Sequence, residues 1–248
     1  MKTYKIIVAY QGTQYAGWQI QQHEYAIANL LQDRFLSVFK KKIHLSAASR
    51  TDAGVHAHGQ VATFCADLPI PPEKLRFAWN NVLPKDVVIR SLEEISFPFH
   101  PRYDVAQKTY WYNFFVEQPL PPFNQYGYYI KKPIDFAKLD ETLQLFVGHH
   151  DFRAFASDIT GKSSIRKIDS ITRDFNEQLQ AHRIIVQGKS FLHCMIRRIV
   201  GASLEVALGR TDCAHVHRIL DSKNPNHGLP NAPAHGLLLH EIVYKSIS

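Results

Sequence analysis

Residues 43–66 read IHLSAASRTDAGVHAHGQVATFCA. The stretch decides the fold because two short strand candidates, 43–48 (IHLSAA) and 59–66 (GQVATFCA), flank a polar, glycine-containing segment, SRTDAGVHAH. Upstream, Ile27, Leu30, Leu31, Phe35, Val38 and Phe39 recur at 3–4 spacing and predict an amphipathic helix from Glu24 to Lys41. Ahead of it lie a strand over 3–10 (TYKIIVAY) and a loop, QGTQYAGWQIQQ. Downstream, Leu75, Ala78, Trp79, Val82 and Leu83 line one side of a helix over about 73–83, and 86–95 (DVVIRSLEEI) alternates as a strand. The order β-α-β-β-α-β is the split βαβ of a ferredoxin-like unit.

The remainder repeats that order more loosely. A long aromatic strand is expected over 103–116 (YDVAQKTYWYNFFV), a helix over 135–147, and a strand pair over 165–175 and 179–187. Helices over 190–208 and 213–221 and a closing strand over 237–244 complete it. PFHP at 98–101 and PLPPF at 119–123 punctuate loops and set a domain boundary near residue 102. The expectation is an α+β protein of two ferredoxin-like halves with mainly antiparallel sheets, 1–102 and 103–248. Four-stranded sheets of this kind also form RRM-type RNA-binding surfaces, but the fold alone proves no function.

Composition narrows the classes. The 248 residues are 45% apolar, enough for a real core, which excludes a disordered tail or a disulfide-stapled miniprotein. No apolar run approaches the roughly 20 residues of a membrane helix, and MKTYKIIVAY leads straight into a strand pattern. A soluble, unexported, cytoplasmic protein without a membrane partner is expected. Cys65, Cys194 and Cys213 form an odd set with no CxxC spacing, which suits a reducing compartment and argues against a cysteine-only metal site. Twenty-nine Lys+Arg against 22 Asp+Glu give +7, and with 12% aromatic residues this leans toward a polyanionic partner.

Asp52 stands between a cation (Arg50), a hydroxyl (Thr51) and the turn-forming pair Ala53-Gly54. A carboxylate used as nucleophile or base must stay ionised while partly dehydrated, and a nearby guanidinium favours that. A bare TDAG equally suits a capped surface turn. The chain carries its own control, for Arg210-Thr211-Asp212 precedes the helical pattern Val216, Ile219, Leu220, and Asp212 there reads as a helix N-cap. Asp52 differs in its longer context, with Val55-His56-Ala57 following in a loop between strands. Tyr110 belongs to a strand whose alternation is explained by packing alone. Arg197 and Arg198 diverge by about 100 degrees on a helix, so one can turn inward to a carboxylate while the other meets solvent or phosphate. His56, His58 and the pair His149-His150 lack the further ligands a catalytic metal requires. His150-Asp151 has no GxSxG elbow to make it part of a hydrolase triad, and GHHDFRAF reads as structural.

RTDAGVHA resembles the catalytic motif of the bacterial tRNA pseudouridine synthases of the TruA family. YAGWQIQ (15–21), KTYWY (108–112), FVGHHDFRAF (146–155), SFLHCMIRRIVG (190–201) and APAHGLLLHEIVY (232–244) follow in the family's order, so the resemblance spans essentially the whole chain. It implies the pseudouridine synthase fold, with tRNA bound in a basic cleft between two ferredoxin-like halves, usually a homodimer, and no metal or organic cofactor. It implies isomerisation of uridines at tRNA positions 38, 39 and 40 of the anticodon stem-loop. By the same resemblance Asp52 takes the place of the catalytic aspartate and Tyr110 that of the active-site tyrosine. Arg197 takes the place of the arginine paired with the aspartate, and Arg50 that of the arginine that assists base flipping.

The residue types suit that chemistry. The N1–C1′ bond must break, the uracil must turn, C5 must join C1′ and the C5 proton must leave. An ionised Asp52 can serve by adding to C6, by attacking C1′, or by deprotonating C2′. The base must first leave its stack, at a cost of a few kcal/mol. Arg50 can fill the gap and Tyr110 can hold the flipped base. Gln11, Ser49, Cys194, Arg198 and Ala207 depart from the family's usual residues, and Gln11 and Ser49 bear on the loops around the flipped nucleotide. Three other readings compete: a catalytically silent tRNA-binding or chaperone module on the same scaffold, a histidine-dependent metalloenzyme, and a related synthase with other RNA targets, which keeps the mechanism and changes only the site.

Overall fold

The structure is a computed structural model that describes residues 1–21, 24–159, 161 and 163–245. It separates into two compact units, Met1–Ala106 together with the chain from Leu238 onward, and Gln107–Leu237.

In the first unit, β1 (Lys2–Tyr10), α1 (Ile27–Phe39), β2 (Ser46–Ala47), β3 (His56–Ala66), α2 (Pro72–Asn80) and β4 (Val87–Ile95) follow the expected order. The strands lie β4-β1-β3, with both pairings antiparallel. Period-2 alternation in β1 buries Tyr4, Ile6, Val8 and Tyr10. Tyr4, Phe35, Phe64 and Trp79 pack as one aromatic cluster, with ring centroids 4.8–5.6 Å apart, and Trp79 Nε1 donates to Leu31 O.

Three expectations shift. Helix α1 begins at Ile27 rather than Glu24, because the Ile27 and Ala28 amides are taken by the carbonyls of Gly17 and Trp18 in the preceding loop. The strand expected at 43–48 shrinks to β2, paired antiparallel with Ala62–Thr63. That short pairing leaves the start of the β3 edge open, and β3 extends back to His56. There β10 (Leu237–Tyr244) adds in parallel, Leu238 and Leu239 pairing with His56 and Ala57. The strand read as closing the second half therefore groups with the first unit. Gly59 permits the approach, since a Cβ there would sit 2.6 Å from His240 O.

In the second unit, β5 (Val105–Phe115), β7 (Gly148–Asp151), β8 (Ile165–Asn176) and β9 (Ala181–Gly188) form an antiparallel sheet ordered β5-β9-β8-β7. A two-residue strand, β6 (Tyr128–Tyr129), adds in parallel to β5. Helices α3 (Phe136–Gln144), α4 (Met195–Ala207) and α5 (Cys213–Ser222) complete the unit. Asp135 caps α3 by accepting from the Ala137 and Lys138 amides. The helix expected from residue 190 starts at Met195, because Cys194 sits in left-handed backbone at φ +58°. GHHDF supplies the edge strand β7 and a short 3-10 turn at Phe152–Phe155. Among the described residues no helix is long and apolar enough to cross a membrane.

Candidate active site

Each unit presents one set of the residues singled out by sequence. In the first, Arg50, Thr51 and Asp52 lie in the loop between β2 and β3. Thr51 is buried, Asp52 half-buried and Arg50 exposed. Main-chain hydrogen bonds tie the loop to the segment Tyr15–Trp18 and close it on itself. Trp18 N donates to Thr51 O at 3.1 Å, Gly54 N to Tyr15 O at 3.3 Å, and Val55 N closes a turn on Asp52 O at 3.2 Å. The Thr51 and Tyr10 hydroxyls share a 2.8 Å hydrogen bond. His56 is buried, and its Nδ1 accepts from Gly12 N at 3.1 Å. YAGW is thus the inner wall of the Asp52 loop, and the same segment delivers the carbonyls that start α1.

Two contacts in this wall escaped the sequence reading. Gln60, fully buried, donates from Nε2 to Ser49 O at 2.7 Å and accepts the Ser49 amide on Oε1 at 3.3 Å. Ser49 is therefore clamped through its main chain, and the clamp does not depend on its side chain. The signal available was an uncharged amide inside an otherwise apolar strand, GQVATF. The Tyr10–Thr51 pair had no such signal, since its partners lie 41 residues apart.

The second unit carries Tyr110 and Arg197. Tyr110 is buried on β5, opposite Val186 of β9, with Phe191 against it edge-to-face at 5.4 Å. Tyr112, two residues along and on the same face, donates from its hydroxyl to Pro233 O at 3.0 Å. Burial pushes the Tyr112 phenol well above its ordinary pKa, while the nearby Arg197 charge pulls the other way. Arg197 lies on α4, where its Nε donates to Ala232 O at 2.9 Å and its own carbonyl accepts the Ala232 amide at 2.9 Å.

Arg198 departs from the expectation of a solvent or phosphate contact. It is half-buried and donates to Ala154 O, Pro225 O and the Ser157 hydroxyl. His150 bonds through Nε2 to Val147 O, and the Asp151 carboxylate accepts the Arg153 amide at the head of the 3-10 turn. Asp212 caps α5 by accepting the His215 amide at 2.6 Å, so the second Arg-Thr-Asp is an N-cap.

One unit thus carries Asp52 on a loop held by main-chain hydrogen bonds, and the other carries Tyr110 on a strand and Arg197 on a helix. The sequence pattern of the tRNA pseudouridine synthases matches residues 6–104 and 142–245, and the chain belongs to that family. Its relatives carry a narrower name. "tRNA pseudouridine synthase A" of Acetivibrio thermocellus is 34% identical over 246 residues, covering 98% of this chain and all of that one. The proteins of the same name from Thermoanaerobacter sp. and Solibacter usitatus are 36% and 37% identical, again over 98% of this chain and all of theirs. The resemblance to the TruA family, read from six motifs, is borne out over the whole length.

Proposed function

We propose that this chain converts uridine to pseudouridine in tRNA, at positions 38, 39 and 40 of the anticodon stem-loop. The family match supports the reaction, and the observation that carries the reading of the site is the Asp52 loop. A half-buried aspartate on a loop whose main chain is hydrogen-bonded on both sides of it suits a group that must meet the reacting atoms without reorganising. Asp52 is the nucleophile. Tyr110 holds the flipped uracil and Arg197 stabilises the carboxylate and the charge that develops as the glycosidic bond breaks. Arg50, exposed on the same loop, fills the gap left in the stem. N1–C1′ breaks, C5 joins C1′, the C5 proton leaves and N1 gains a proton, so no external reactant is consumed. The enzyme acts as a homodimer in the cytoplasm.

The test is tritium release from tRNA bearing C5-tritiated uridine, with wild type beside Asp52→Ala, followed by mapping of the modified positions. Release by wild type alone, at 38, 39 and 40, is the expected result. Absence of release from both, with tight tRNA binding retained, would replace the enzyme by a binding module. Release mapped elsewhere would keep the reaction and refute the sites.

A further inference from the structure

Arg197 and Arg198 are neighbours on α4 and do different work. Arg198 ties α4 to two segments of the second unit: Nη1 donates to Ala154 O at 3.1 Å and to Pro225 O at 2.9 Å, and Nη2 to the Ser157 hydroxyl at 3.2 Å. Ala154 O receives a second donor, His227 Nε2, at 3.0 Å, while His227 Nδ1 accepts the Leu229 amide at 3.1 Å. Those two bonds fix the neutral ring with its proton on Nε2.

The segment held in this way, residues 224–233, is neither helix nor strand, and Pro225, Pro230 and Pro233 stiffen it. It lies directly on α4. A Cβ at Gly201 would come within 2.0 Å of Pro230 O, so strap and helix have no room between them there. Two residues further, Ala232 exchanges both of its main-chain groups with Arg197, and its carbonyl takes the guanidinium Nε. A bond to Nε sets the plane of a guanidinium and with it the direction of both Nη groups. Pro233 O is then tied to the Tyr112 hydroxyl, on the strand that bears Tyr110.

We propose that Arg198 is a positioning residue for the isomerisation: with His227 it anchors the 224–233 strap whose Ala232 carbonyl aims the Arg197 guanidinium. The inference rests on the role given to Arg197 under Proposed function. It assigns Arg198 no contact with RNA. Loss of Arg198 leaves the Pro225 carbonyl without that donor and slackens the strap. Since a misplacement of about 1 Å at a catalytic group can cost up to about 10²-fold, Arg198→Ala should slow single-turnover tritium release by roughly 10–100-fold. The tRNA Kd should stay within about threefold. The slope of log Kd against log salt should not change, whereas loss of a phosphate contact lowers it by about one.

The deciding experiment is a double-mutant cycle on single-turnover release, using Arg198→Ala, Arg197→Lys and the double variant, with tRNA binding and thermal melting measured on each. Lysine lacks the Nε–Nη fork, so Arg198 has nothing left to aim, and the double variant should match Arg197→Lys alone. Independent, multiplicative losses would overturn the inference and mark Arg198 as a general stabiliser. A wild-type rate for Arg198→Ala, or a salt slope reduced by one, would overturn it as well. If Arg198→Ala does not fold, Arg198→Lys, which keeps the charge and reaches one carbonyl, enters the same cycle with a smaller loss expected. A wild-type rate for Arg197→Lys would refute the role of Arg197 itself, and the positioning role with it. That outcome is distinct from multiplicative losses, which leave Arg197 standing.

Discussion

Replacing Gly17 by alanine puts the architecture of the Asp52 loop to a quantitative test. Gly17 has φ +86°, and a Cβ there would stand 2.3 Å from Thr51 O and 2.9 Å from the carbonyl carbon of Asp52. Both neighbours are main chain, so neither can swing aside as a flexible side chain would. The left-handed backbone alone costs about 1–2 kcal/mol with a Cβ present. The Trp18 N to Thr51 O hydrogen bond, 3.1 Å in the native loop, must lengthen or break, which adds about 1 kcal/mol. The sum is about 2–3 kcal/mol, or a fall in Tm of roughly 4–12 °C for a chain of this size.

The catalytic consequence is separable. To reach an ordinary contact, Thr51 O must withdraw by about 1.1 Å, from 2.3 Å to 3.4 Å, and Asp52 is the next residue. A displacement near 1 Å costs up to about 10²-fold in rate, so single-turnover tritium release should fall by roughly 10–100-fold at a temperature where the variant is fully folded. Gly209→Ala is the control, because Gly209 also has positive φ, +68°, but nothing lies within 4 Å of its Cβ position. It should lose about 1–2 kcal/mol and keep its rate. Equal rates for the two variants, or a wild-type rate for Gly17→Ala, would refute the claim that this wall positions Asp52.

Other expectations follow from the same contacts. Asp52→Asn should abolish tritium release and leave tRNA affinity nearly unchanged in filter binding; parallel loss of both would remove Asp52 from the chemistry. Gln60→Leu strands the Ser49 amide and carbonyl beside a buried aliphatic group, so urea denaturation should report a loss of about 1–3 kcal/mol. Burial lowers the pKa of His58, His182, His227 and His235 below the usual 6.5. The unfolded chain then binds more protons than the folded one just below pH 6.5, so stability must fall as pH drops through that window. His227→Asn, which keeps an acceptor for the Leu229 amide, should flatten part of that fall in pH-dependent melting. At the other end, the raised Tyr112 phenol keeps its proton in the fold while unfolded tyrosine loses its own above pH 10. Stability should decline there, and Tyr112→Phe should soften the decline.

Periodicity made the first unit largely legible. Apolar spacing located α1 and α2, and alternation located β1 and β4, because a half-buried element writes its own period into the chain. The Asp212 cap was legible for the same reason: its partner, the His215 amide, lies three residues away. Element ends were less so. The beginnings of α1 and β3 depend on Gly17, Trp18 and the returning β10, and those partners are distant in sequence.

The motif RTDAGVHA and its five companions were enough to mark the family, the reaction and the four residues to test, since residue type and local order suffice for a chemical signature. They singled out Arg197 over Arg198 but showed the partners of neither. Arg197 donates to a carbonyl 35 residues away, and Arg198 to one 27 residues away in the same strap. Nor did they disclose the wall behind Asp52, built from Tyr10, Trp18 and Gln60. Hydrogen bonds between distant residues leave no periodic trace in the chain, so the aim of a catalytic group is settled when the elements pack.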